Sequence, residues 1–221
     1  MHMNRLISYI SLLFLISFSS FPQNFLSTSG KSIVNEMGDT IILRGMGLGG
    51  WMVQEGYMMA PGGFSSTQYQ IRDKLTELIG PQETDIFYDN WLSNHVRKID
   101  IDSMKQWGFN LVRAPIHYNL FTEPIQNEPY PFAYTEKEKG YQLLDSLLSW
   151  CKQNEIYLMI DLHAAPGGQG YNADISDYDP SKPSLWESVY NQRKTVDLWK
   201  RIAQRYKDEE WIAGYDLINE P

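Results

Sequence analysis

A single cysteine, Cys151, is all the thiol the 221-residue sequence contains. It excludes an internal disulfide and a cysteine-rich zinc cluster, and it leaves no cysteine near the N-terminus for lipid attachment. Basic residues are also in deficit, 19 Lys plus Arg against 27 Asp plus Glu, for a net charge of −8. With no local basic patch to offset that balance, a nucleic-acid backbone is repelled. Long apolar runs are missing too. Leu6 to Phe18 (LISYISLLFLISF) falls short of the ~20 residues that a membrane-spanning helix needs. No G-x-G-x-x-G opens a helix after the first strand, because Gly45-x-Gly47-x-Gly49-Gly50 leads straight into Trp51-Met52-Val53, which argues against a dinucleotide-binding doubly wound sheet. Histidine pairs at metal-ligand spacing are lacking, so a metal-dependent hydrolase is remote, and no cofactor is expected. The oxygen-rich stretch Asn172, Asp174, Asp177 and Asp179 fits no calcium loop and reads as solvated.

What is present begins with export. The apolar run behind Arg5 matches the core of a signal peptide over residues 1–23, so a secreted, extracellular or periplasmic protein is expected, with the membrane touched only through that segment. The remainder, 30–221, reads as one domain. Ser32 to Val34 and Thr40 to Leu43 flank the turn-rich Asn35-Glu36-Met37-Gly38-Asp39, which predicts a short hairpin. Strands are predicted at Ile42 to Leu48, Phe109 to Ala114, Ile156 to Leu162 and Ile212 to Ile218. Between them lie two amphipathic helices. One carries Tyr141, Leu144, Leu147, Leu148 and Cys151 on its apolar stripe, the other Leu185, Val189, Val196, Trp199, Ile202, Ala203 and Tyr206. Alternation of strand and helix implies a parallel sheet, and the strand tips carry Arg, His, Asn and Glu. In a (β/α)₈ barrel those tips share one mouth, where chemistry sits.

Four segments supply the candidate chemistry. Asn219-Glu220-Pro221 ends the last strand on a carboxylate that could deliver a proton to a leaving oxygen, with Asn219 able to bond a substrate hydroxyl. Strict alternation would send the two to opposite faces, so a bend or bulge is expected at that strand end. Asp161-Leu162-His163 places two polar groups on one face. Arg113 needs a carboxylate partner, either as a structural salt bridge or to hold a catalytic carboxylate ionised. Gly49-Gly50-Trp51-Met52-Val53-Gln54-Glu55 offers an indole to stack on a sugar and a carboxylate for its hydroxyls, and His117-Tyr118 follows on another exit loop. Fourteen tyrosines and seven tryptophans make an aromatic-lined binding surface plausible.

The ordered set Leu48-Gly49-Gly50-Trp51, Gly108-Phe109-Asn110-Leu111-Val112-Arg113-x-Pro115, Asp161-Leu162-His163-Ala164-Ala165-Pro166-Gly167 and Asn219-Glu220-Pro221 resembles glycoside hydrolase family 5, the cellulase and β-glucanase family of clan A. The resemblance implies a (β/α)₈ TIM barrel and a retaining mechanism with glutamates on the fourth and seventh strands. It assigns Glu220 as acid/base, Asn219 as the contact to the sugar 2-hydroxyl, Arg113 as support for the nucleophile and His163 as the active-site histidine. Trp51, Glu55, His117 and Asn172 become substrate-binding candidates. The Gly-Gly-Trp-x-x-x-Glu pattern is similar to an exo-β-1,3-glucanase branch, from which the sequence departs at His117-Tyr118 and over 167–172. Only about four βα units are visible, so the barrel reads as truncated, with the nucleophile beyond residue 221 and the 221-residue chain inactive alone. The expected substrate is a β-linked glucan or related polysaccharide. A non-catalytic carbohydrate-binding protein on the same scaffold is the alternative.

Overall fold

The computed structural model describes residues 25–60 and 63–221, so the leader expected at 1–23 lies outside the described residues. In chain order the elements are β1 (Ser27–Ser29), β2 (Ser32–Val34), β3 (Gly45–Gly47), α1 (Gly56–Met59), α2 (Gln68–Ile79), α3 (Pro81–Asn94), α4 (Lys98–Gln106), β4 (Leu111–His117), α5 (Glu138–Gln153), β5 (Tyr157–Ala164), α6 (Ala173–Ser176), α7 (Val189–Tyr206) and β6 (Ile212–Asp216). Strands β3-β4-β5-β6 form a parallel sheet in that order, and β1-β2 pair antiparallel in a separate two-stranded sheet. Among the described residues no helix is long and apolar enough to cross a membrane.

The predicted strands are displaced at both ends, for physical reasons. Ile42 to Arg44 does not enter the ladder, because the Asn110 side chain takes that backbone instead, its Oδ1 accepting from Arg44 N at 2.6 Å and its Nδ2 donating to the Ile42 carbonyl at 3.0 Å. Ile42 is accordingly exposed. The second strand runs three residues past Ala114, through Pro115, although proline is disfavoured in a central strand. Its missing N–H faces the same side as the Arg113 carbonyl, which accepts from Leu48 N. The donor it lacks is the one that the Leu48 carbonyl would take next, so pairing with β3 ends at Gly47 while β4 continues against β5. The hairpin is shifted as well. Residues 32–34 pair with 27–29, and Thr40 contributes a single bridge to Val34, while Asn35 Oδ1 caps the turn by accepting from Met37 N and Asp39 N.

The core lies between the sheet and its helices. All five predicted residues of the α5 stripe are buried, and burial pushes the Cys151 thiol up to about 12, an inert core residue. The α7 stripe is rotated. Its buried residues are Asn191, Lys194, Thr195, Leu198, Ile202 and Tyr206, while Val189 and Val196 are exposed and Leu185 is buried ahead of the helix. Of the predicted stripe Leu185, Ile202 and Tyr206 are buried, whereas Asn191, Lys194, Thr195 and Leu198 were missed. Lys194 Nζ reaches Glu128, Thr122 Oγ1 and the Ala133 carbonyl, partners supplied by the loop after β4. A buried cation so paired is tolerated where an unpaired one is not.

Candidate active site

The C-terminal ends of β4 and β5, with the segment after β6, bring ionisable groups into one cluster. Arg113 sits within β4, not at its tip, and its Nη2 lies 2.9 Å from Asp161 Oδ2, 3.0 Å from Asp216 Oδ2 and 2.8 Å from Asn219 Oδ1. Thus the carboxylate partner that the sequence demanded is a pair, Asp161 and Asp216. Of these, Asp216 was not foreseen as a site residue. Asp161 is fully buried and also meets His163 Nδ1 at 2.8 Å, as alternation on one strand face required. On the far side of the ring, His163 Nε2 faces Glu55 Oε1 at 3.3 Å, an ion-pair distance off the line of a hydrogen bond. Burial opposes charge on His163, but the Asp161 and Glu55 carboxylates outweigh it and push the imidazole up to about 9. Burial raises the Asp161 carboxyl above its usual range against the pull of His163 and Arg113.

Glu55 is buried at the N-terminus of α1. It is fixed there by Gly56, whose N–H donates to the Ser66 carbonyl at 2.8 Å and whose missing Cβ would stand 2.3 Å from that same oxygen. The Tyr57 hydroxyl lies beside it: the Glu55 carboxylate, with burial and the charge of Glu220, raises the Tyr57 hydroxyl above its ordinary value.

The bend at the end of β6 is made by leaving the strand early. β6 stops at Asp216, Asn219 N donates to the Leu162 carbonyl at 3.1 Å, and Glu220 adopts the left-handed region at φ 42°. Asn219 turns inward and is buried, while Glu220 is exposed. The register shift in this strand pair falls at Leu158/Met159, at the opposite end. With Asn219 Oδ1 held by Arg113, its buried Nδ2 has no partner among the described residues. Gln169 holds the turn in place. It is a buried glutamine whose Nε2 donates to the His163 and Asn219 carbonyls, both at 2.8 Å, and whose Oε1 accepts from Ala165 N. The glycine-rich stretch around it hid this role, although a polar amide between Gly168 and Gly170 was the available signal.

Three substrate-binding candidates fall differently. Asn172 and Glu220 line one cavity of ≈ 300 Å³, walled by Tyr171 and Trp186, which are exposed. Trp51 is not a platform. It is 2% exposed, with Nε1 donating to the Leu92 carbonyl at 2.8 Å, so its indole belongs to the core. His117 is not on an exit loop but ends β4, buried, with Nδ1 accepting from Asn119 N at 3.1 Å and Nε2 2.9 Å from Asp177 Oδ2. Asp177 also accepts from Tyr69 N at 2.8 Å, so the loop expected to be solvated is tied to β4 and α2. Among the described residues no group of His, Cys, Asp or Glu is placed to hold a metal ion.

Residues 69–221 match the family model described as cellulase (glycosyl hydrolase family 5). The chain belongs to glycosyl hydrolase family 5. Among its relatives, a β-xylosidase of Phanerodontia chrysosporium is 35% identical over 198 residues, covering 89% of this chain and 39% of that protein. A probable glucan 1,3-β-glucosidase A of Aspergillus niger is 30% identical over 182 residues, 81% of this chain and 41% of that protein. The chain thus spans roughly two fifths of the length of these curated relatives. A crystal structure of rutinosidase from Aspergillus niger superposes with a TM-score of 0.62 at 17% identity, over 80% of this chain and 48% of that one, a likeness of fold. The four-stranded parallel sheet and its helices are consistent with part of the (β/α)₈ barrel of family 5.

Proposed function

We propose that these residues form the acid/base side of a retaining β-glycoside hydrolase that acts, after export behind residues 1–23, on a β-linked glucan or a related polysaccharide. The observation that carries the reading is the convergence of Glu55, Arg113, Asp161, His163 and Asn219 at one end of the sheet, with Glu220 in the solvent-open cavity beside them. In this reading Glu220 protonates the leaving oxygen and then activates water. The unpartnered Asn219 Nδ2 donates to a sugar hydroxyl, since a buried donor left empty is costly. His163, held as imidazolium by two carboxylates, and Glu55 bind hydroxyls of the same ring. Arg113 is a positioning residue. It orients Asn219 and supplies positive potential that keeps a nucleophilic carboxylate ionised.

Retaining chemistry needs a second carboxyl ~5–5.5 Å from the acid/base. Glu55 and Asp161 are engaged by His163, so the 221-residue chain alone is expected to be inactive. The nucleophile would come from a further segment of the longer family architecture. The test is reducing-sugar release by a protein that carries both glutamates, on β-1,4-glucan, β-1,3-glucan and mannan, with and without chelator. Chelator-insensitive hydrolysis of at least one β-glycan is the expected result. Binding without any hydrolysis would favour the non-catalytic alternative, and loss of activity with chelator would overturn the metal-free mechanism.

A further inference from the structure

Away from Glu220, the loop after β4 and one stripe of α7 enclose a groove. Its two hollows, ≈ 390 and ≈ 880 Å³, share Tyr130, Phe132, Ala133 and Asp197, and none of their lining residues lines the Glu220 cavity. Below them lies the buried Lys194–Glu128 pair, which anchors the loop to the helix. The rim is aromatic and open to water: Tyr130 is 67% exposed, Phe132 58% and Tyr190 40%. The Phe132 and Tyr190 rings stand 4.7 Å apart between centroids, tilted by 45°. Phe132 does this at φ 64°, a left-handed conformation that a bulky side chain rarely adopts. Its backbone is strained and its ring largely wet, so core packing does not account for it; such strain concentrates at ligand contacts.

Charge narrows the occupant. Arg193 pairs with Asp197 at 3.1 Å, Lys200 with Asp197 at 3.8 Å, Arg201 with Glu136 at 3.1 Å and Arg205 with Asp145 at 2.5 Å. With Lys194 held by Glu128, each of the five lysines and arginines that line the groove has a carboxylate partner, but Arg193 and Lys200 share Asp197, so one positive charge is left in excess, a weak pull on a phosphate or an acidic polymer. What remains are flat aromatic faces beside charged groups that can exchange hydrogen bonds with hydroxyls. The groove follows α7 from Tyr190 to Arg205, about 22 Å at 1.5 Å per residue, an extended track rather than a pocket for one small molecule.

We propose that this groove is a surface site for a neutral β-linked glycan chain, separate from the mouth that holds Glu220. Pyranose C–H faces stack on Phe132 and Tyr190, and the paired side chains along α7 take the hydroxyls.

Affinity electrophoresis of the 221-residue protein through gels containing β-1,3-glucan, β-1,4-glucan, xylan or polygalacturonate, each mobility referred to a glycan-free gel so that self-association cancels, tests this. Retardation by at least one neutral glycan and none by polygalacturonate is expected. Tyr190→Ala should weaken it about tenfold. Phe132→Gly should weaken it similarly while the melting temperature holds or rises, because glycine suits that φ and removes only the ring. The same two aromatic variants, placed in an active protein that carries the groove, should leave hydrolysis of a soluble aryl β-glycoside at the parental rate, which separates this site from the hydrolase reading. No retardation by any neutral glycan, unchanged retardation in both aromatic variants, preference for polygalacturonate, or loss of aryl β-glycoside hydrolysis in both variants would each overturn the proposal.

Discussion

At the scale of single residues, the site is organised by a histidine that keeps its proton. His163 is held between Asp161 and Glu55, and its folded pKa of about 9 stands above the ~6.5 of a free imidazole. Since the native state binds the extra proton, the stabilisation from this arrangement is complete below about pH 6.5 and is lost as the pH rises through about 9. Thermal melts from pH 6 to 10 should show that fall. In Asp161→Asn the imidazole loses its main carboxylate, so its titration followed by NMR should move down and the fall should flatten. A pH profile identical to that of the parent would contradict the geometry. Glu220 behaves differently. It is exposed, and its contribution to stability is small compared with its proposed chemical role.

Among the elements, the short helix α1 and the long helix α7 make opposite demands. Gly56 opens α1 so close to Ser66 that a methyl group cannot enter without moving backbone. Gly56→Ala should therefore destabilise by about 1–3 kcal/mol and displace Glu55, which chemical denaturation and loss of the raised His163 pKa would register together. On α7, Lys194→Ala strands the Glu128 carboxylate in a buried position and should cost about 3–5 kcal/mol. Joint replacement by Lys194→Met and Glu128→Gln should recover most of it, measured by the same melts. This helix also marks where the sequence stops being legible. The α5 stripe could be read from spacing because every buried member is apolar or aromatic. The α7 face was legible only at Ile202 and Tyr206, because the burial of Lys194 depends on Glu128, a residue 66 positions away that no local window includes. Strand β4 gave a similar lesson. The predicted strand ends at Ala114, yet β4 runs on through Pro115 because its pairing with β5 continues to His117.

For the molecule as a whole, the order of four motifs was enough to indicate the family and the end of the sheet where polar groups gather. Arg113, Asp161 and His163 were legible because alternation along a strand is a local property, whereas Glu55 and Asn219 lie past the strand ends and were legible only from their motifs. Asp216 and Gln169 were not, since their roles arise from contacts across strands and loops. Trp51 failed for the converse reason: a motif residue can be held by the core, here through the Leu92 carbonyl. The described sheet has β3 and β6 as open edges, and Leu217 beside β6 is exposed. The 221-residue polypeptide on its own should therefore self-associate and release no sugar, as light scattering and a glucan assay on the purified chain would show. Cooperative melting of a monodisperse, active monomer would contradict this. The central claim is that Glu220 is the acid/base of a retaining hydrolase, and an active protein containing this site, changed only by Glu220→Gln, tests it most directly. On an aryl β-glycoside with a good leaving group, hydrolysis should fall about 10²–10⁴-fold. Azide should restore turnover with the β-glycosyl azide as product, read by proton NMR. Near-parental hydrolysis of polysaccharide by that variant would contradict the assignment, and an α-azide product would contradict retention.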